Sequence, residues 1–166
     1  MNVNWAAEID RMMAAKQLLQ RADPDELWRH EPPNPPASDE AIRRAESDLG
    51  RELDEEYAAF LRHADGWPAI LQNTDLFSTA ELSGGPSFTE AKELLADLEP
   101  HAAGGDVFPI GASETSIDLF VMLPAEGQSS AILWLAGVEV ERYGSFPEFF
   151  GAMVSHNMKE AGDMRR

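Results

Sequence analysis

Along residues 38–66 apolar side chains recur at helical spacing in two short runs, each bounded by residues that start and stop helices. In the first run Ala41, Ile42, Ala45 and Leu49 fall on one helix face. Ser38 is placed to cap it, because its hydroxyl can accept one of the backbone N–H groups that the first turn leaves unpaired. Asp39 and Glu40 then put negative charge at the positive end of the helix dipole. Gly50 suits the left-handed position that ends such a helix. In the second run Leu53 leads in, Asp54 caps, Glu55 and Glu56 occupy the first turn, and Tyr57, Phe60, Leu61 and Ala64 form the buried face. Asp65-Gly66 closes it, and Trp67-Pro68 follows as a bulky apolar plug.

The same reading extends over the rest of the chain. Residues 4–22 form a helix whose face is traced by Trp5, Ile9, Met12, Met13, Lys16 and Leu19. That face must pack either back on the domain or against a second protomer. Asp23-Pro24-Asp25-Glu26 combines a cap, a proline at the first helical position and an acid three residues after the cap, so a short turn carrying Leu27 and Trp28 follows. Residues 30–37 are proline-rich and extended. Residues 69–82 are mixed, with a short strand at Leu76-Phe77, and a loop spans 83–86. A capping box of Ser87 and Glu90 is predicted to open a helix through Leu98, with Phe88, Ala91, Leu94, Leu95 and Leu98 inside. After a flexible connection at 100–105 come strands at 107–110, 117–123, 131–135 and, past a turn at Gly137, 138–143. Poor alternation in 117–123 predicts a strand covered on both faces, whereas 138–141 alternates and predicts one wet face. Ser145 with Glu148 opens a last helix that buries Phe149, Phe150, Met153 and Val154. Helices first, strands later and a closing helix predict an α+β fold: a largely antiparallel sheet flanked by helices, with an extra N-terminal helix.

The order of these landmarks resembles the SUKH superfamily (Smi1/Knr4-like), which joins bacterial immunity proteins with fungal cell-wall regulators. Its members carry an acidic first helix, a Leu-Gly, a Leu-Pro-x-x-Tyr-x-x-Phe-Leu helix and an Asn-Gly turn. The matching residues are Glu46, Leu49-Gly50, Leu53, Tyr57, Phe60-Leu61 and Asp65-Gly66, followed by the landmarks at 107–111 and 145–150. Asp54 stands where proline is usual and Asp65 where asparagine is usual. The segment after Gly111, glycine-rich in relatives, is here Ala112-Ser113-Glu114-Thr115-Ser116. The resemblance covers residues 31–160, leaving 1–30 as an N-terminal helical extension and 161–166 as a disordered tail. It implies a domain that binds other proteins and does not catalyse.

Composition narrows the field. The 166 residues fit one domain with a real core. Without cysteine there is no disulfide, thiolate metal site or thiol nucleophile, which fits a cytoplasmic protein. Glu8 and Asp10 and the lack of a long apolar run argue against a signal peptide, and the longest apolar run, 131–136, is too short to span a bilayer. Thirty acidic residues against thirteen basic ones give a net charge of −17. Between Arg62 and Arg142 the sole basic residue in the sequence is Lys92. Such a field repels phosphate backbones and anionic lipid and speeds encounter with a basic partner.

Candidate chemistry is sparse. His30, His63, His101 and His156 have no metal-ligand spacing, so no metal or cofactor is expected. Asp54-Glu55-Glu56 belongs to a helix start, and Gly84-Gly85-Pro86-Ser87 lacks the lysine and spacing of a phosphate loop. Ser113 does not sit in a Gly-x-Ser-x-Gly elbow, so no catalytic residue is assigned. Trp134, inside an apolar strand, reads as core. The contact set for a protein partner is Trp67, Asp75, Glu81, Glu114, Asp118, Glu139 and Glu141, acids and an aromatic on loops or wet strand faces. The expected function is a non-enzymatic immunity protein that occludes a basic, nuclease-like toxin, acting as a monomer or weak homodimer. A regulatory scaffold of the same fold is the alternative, and a hydrolase the third. The last requires a concave pocket of convergent carboxylates, such as Asp75, Glu114 or Asp118, with shifted pKa values.

Overall fold

The computed structural model describes residues 3–98, 107–126 and 129–165. Its helices are α1 (Trp5–Ala22), α2 (Asp39–Leu49), α3 (Glu55–Leu61), α4 (Thr79–Leu82), α5 (Pro86–Leu98) and α6 (Phe146–Met164). Its strands are β1 (Trp67–Leu71), β2 (Thr74–Leu76), β3 (Phe108–Ser113), β4 (Asp118–Glu126), β5 (Ser129–Ala136) and β6 (Glu139–Tyr143). The caps predicted at Ser38, Asp54 and Ser145 are in place. Their side chains accept the N–H groups of Ala41 at 3.1 Å, Tyr57 at 3.0 Å and Glu148 at 3.3 Å, and Asn4 does the same for Ala7 of α1. Gly50 ends α2 with φ 75°. Gly66, at φ 84°, is needed for space as well. A Cβ there would lie 2.6 Å from the carbonyl oxygen of Phe77.

The strands form one antiparallel sheet in chain order, β1 to β6, so the fold is α+β as predicted. Helix α6 packs against β1, β5 and β6, α1 runs along α6, and α5 lies against β3. The apolar face of α1 packs back on its own domain. Trp5 sits 5.3 Å from Phe60, 5.5 Å from Phe146 and 5.4 Å from Phe150, ring centre to ring centre, and Phe149 of α6 meets Phe120 of β4 at 4.8 Å. Residues 119–122 of β4 are all buried, as the poor alternation predicts. The outer edge of β1 is closed by side chains: Lys16 Nζ donates to the Ala69 carbonyl at 2.6 Å, and Asn157 Nδ2 donates to that of Ile70 at 2.9 Å. Edge carbonyls are thereby satisfied inside the core.

Some expectations need correction. Residues 69–82 contain a β1–β2 hairpin and the short helix α4 in place of one strand at 76–77. Helix α5 starts at Pro86, not at a Ser87–Glu90 box. Its Phe88 N–H is accepted by the Glu81 carboxylate at 3.0 Å, an acid supplied by the preceding helix. Strand β6 is wet throughout most of its length. Val138 and Val140 are exposed along with Glu139, Glu141 and Arg142, because the strand lies at the sheet edge and a register shift between Trp134 and Leu135 breaks its alternation. The tail expected at 161–166 is ordered helix through Met164, and Ala161 is buried against the core. The connection expected at 100–105 lies outside the described residues.

Candidate functional site

Helix α5 and the turn between β3 and β4 enclose a cleft of about 200 Å³. Four carboxylates from four elements line it: Asp75 of β2, Glu90 on the outer face of α5, Glu114 in the turn and Asp118 at the start of β4. Ala91, Leu94 and Leu119 supply its apolar wall. Ile117, between the lining residues Ser116 and Asp118, is half exposed and leans over Gly137, which precedes the exposed Val138.

A single guanidinium organises half of this charge. Arg29 of the extended segment after α1 pairs with the Asp75 carboxylate and, at 2.8 Å, with Glu114. Its own N–H donates to Asn73 Oδ1 at 3.2 Å. Asp75 also accepts the Ala69 N–H at 2.7 Å. Burial is the largest influence on the Asp75 carboxyl and pushes it above the ordinary carboxylate range. The Ala69 N–H and Arg29 offset this in part, and Glu114 adds to it. Asp118 is held from the other side: its Oδ1 accepts the Trp134 indole N–H at 2.8 Å, and its Oδ2 accepts the Ser116 hydroxyl. Trp134 stands edge-on to Phe120 and to His156, so the strand and α6 together fix where that acid points.

Three residues of the predicted contact set, Asp75, Glu114 and Asp118, therefore meet in one place. The others do not join them. Glu81 turns its carboxylate to the start of α5 and lies beneath Gly85. Glu139 and Glu141 stand on β6, Glu139 paired with Arg142 at 3.0 Å. Trp67 is withdrawn from the surface altogether. It is 0% exposed, packs against Phe150 and donates its indole N–H to the Glu31 carbonyl at 3.1 Å, so it is a core residue. Tyr143 is likewise core, against Phe149. Glu90 and Arg29 were not anticipated. The face of α5 that carries Glu90 was already visible in the spacing of Ala91 and Leu94, but nothing local to Arg29 foretells a partner 46 residues away.

The arrangement offers hydrogen-bond acceptors for a cation. Ser113 shares its hydroxyl with Thr115, and Ser116 is engaged with Asp118. Among the described residues no group of three His, Cys, Asp or Glu side chains is arranged to hold a metal ion. His30, His63 and His156 lie apart, against Asp23, the Ala59 carbonyl and Trp134, and His101 is outside the described residues. No described helix is long and apolar enough to cross a membrane.

A comparison with curated proteins gives no match. The family model for SMI1 / KNR4 (SUKH-1) matches residues 36–151, a span that includes Asp75, Glu90, Glu114 and Asp118 and omits Arg29. With more than half of its length matched, the chain belongs to the SMI1 / KNR4 family (SUKH-1).

Proposed function

We propose that this chain is a non-enzymatic binding protein that neutralises a basic toxin domain, its acidic cleft receiving a lysine or arginine of that partner. The family supports a protein-binding domain of immunity or regulatory type, generally without catalysis. The observation that carries the finer reading is the gathering of Asp75, Glu90, Glu114 and Asp118 around one opening in a chain of net charge −17. Such a field steers a cationic surface inward and repels nucleic acid. Nuclease domains are commonly basic because their substrate is polyanionic, so an acidic protein seated on one covers the substrate path. The exposed Ile117, flanked by the lining residues Ser116 and Asp118, supplies the apolar contact that such interfaces place next to charge.

The test is kinetic and genetic. The basic C-terminal domain of a toxin encoded beside this chain should be tolerated by cells only when the chain is co-expressed. Association of the purified pair should slow steeply with added salt. Exchanging Glu90 and Glu114 for lysine should slow association about tenfold or more at low salt, whereas the same exchange at Glu139 and Glu141 should change it far less. An association rate indifferent to both salt and the cleft variant would remove the cleft from this reading. Failure of rescue together with no complex would remove the toxin.

A further inference from the structure

A second cavity shares no lining residue with the acidic cleft. It measures about 190 Å³ and is walled by Met13, Lys16, Gln20, His30, Pro32 and Trp67. Its chemistry reverses that of the surrounding surface. Lys16 is buried (6% exposed), and its one hydrogen bond is to the neutral carbonyl of Ala69. No described carboxylate lies within ion-pair distance of it. A lysine ammonium carries three donors, so two are left over. His30 stands in the same wall with its side chain 6% exposed. Its Nε2 lies 2.7 Å from Asp23 Oδ2, and Asp23 is itself fixed by the N–H groups of Leu27 and Trp28. Nε2 therefore carries the proton. Nδ1 is buried without a partner.

Buried donors without acceptors are costly, and a buried ammonium beside the Arg29 charge is costlier still. Burial first, and Arg29 second, lower Lys16 to about 8. Both costs are relieved by an anion. We propose that this cavity is a binding site for a monocarboxylate carried on a small apolar body. One carboxylate oxygen accepts from Lys16. The other accepts from the remaining free donor of Lys16, and the His30 ring, held by Asp23, lies in the same wall. Met13 and Pro32 receive the apolar part. The exposed Glu31 at the same wall disfavours a dianion such as phosphate. The ligand is either a free short-chain acid or the C-terminal carboxylate of a peptide ending in an apolar residue.

The full chain, labelled with ¹³C and ¹⁵N, tests this by NMR, with isovalerate as the free acid and Ala-Ala-Ala-Val as the peptide, each also offered as its amide. Saturable shifts at Lys16 Cε and His30 Nδ1 with the acids support the site. Tighter binding of isovalerate identifies a free acid as the ligand, and tighter binding of the peptide identifies a chain terminus. Lys16→Met should weaken binding about tenfold or more. Should that variant fold poorly, the wild-type comparison of acid with amide decides alone. Absence of saturation with both acids, amides that bind as well as acids, or a Lys16→Met chain that binds undiminished overturns the proposal.

Discussion

The helix pair at 38–66 and the seam where residues 16–32 meet β1, β2 and α6 handle their polar groups in opposite ways. In the helix pair the caps and the exposed ion pair are local: Ser38 caps Ala41, Asp54 caps Tyr57, and Glu40 meets Arg44, while Asp54 also accepts the Ser130 N–H and Asp65 the Thr79 N–H from farther along the chain. In the seam the partners are remote. Arg29 reaches Asp75, Asn157 reaches Ile70, and Trp28 donates its indole N–H to Glu160 at 3.0 Å. Local bonds define where elements begin and end. Among the remote ones, Arg29–Asp75 ties the N-terminal segment, outside the family match, to a carboxylate that lines the cleft, and Trp28–Glu160 ties it to α6. An exposed local bond is therefore replaceable at small cost, whereas a remote bond leaves a buried or half-buried group stranded when it is broken.

Gly66 joins the two regions, and the largest effect is expected there. Alanine at Gly50 meets open space and suffers only its left-handed backbone, about 1 kcal/mol. Alanine at Gly66 suffers the same strain and drives a methyl into the Phe77 carbonyl. It should lose roughly 3 kcal/mol or more, read as a lower urea midpoint. Equal losses at the two sites would show that the turn can back away from β2, and the seam would then be softer than its contacts indicate.

Lys16 comes next. Below about pH 8 the folded and unfolded chains both carry its proton, and the burial cost is present in full. Between about 8 and its ordinary value near 10.5 the folded chain has released the proton while the unfolded chain still holds it, so stability rises with pH. The whole rise is about 3 kcal/mol. Burial raises Tyr57 far above the usual phenol range and Tyr143 to about 12. These tyrosines act in the other direction above pH 10, so the measurement is the difference between wild type and Lys16→Met across pH 7 to 11. A difference flat with pH would mean that Lys16 is not desolvated.

The same contrast explains what could be read from residues in order and what could not. The caps, Gly50, the aromatic face of α3 and the covered strand β4 follow from spacing of a few residues, and all were legible. Trp67 follows a helix stop and reads as a surface plug. Its burial depends on Phe150 and on the Glu31 carbonyl, which no local pattern brings near. Glu81 reads as a free loop acid because the N–H it accepts belongs to the next helix. The stretch from 63 to 141 reads as almost empty of positive charge, yet Arg29 enters that space from outside it. Asp75, Glu114 and Asp118 could be named singly from loop positions and strand ends. Their meeting with Glu90 is a product of the β2–β3–β4 register and the seat of α5 on β3.

The smallest effect separates the regions most cleanly, because it compares two arginine–carboxylate pairs of like chemistry. Arg44 and Glu40 are exposed on α2, and a double-mutant cycle there should give about 0.3 kcal/mol, lost in high salt. Arg29 and Asp75 are two-thirds and more than three-quarters buried, and Asp75 also anchors Ala69. Their coupling, from Arg29→Met, Asp75→Asn and the double variant, should reach about 1 kcal/mol or more and survive salt, since screening weakens with burial. A coupling near that of the surface pair would mean that Glu114 or water replaces each lost partner. Arg29 would then be a loosely held rim charge that a cationic partner displaces at little cost, and the cleft would be open to all four of its carboxylates.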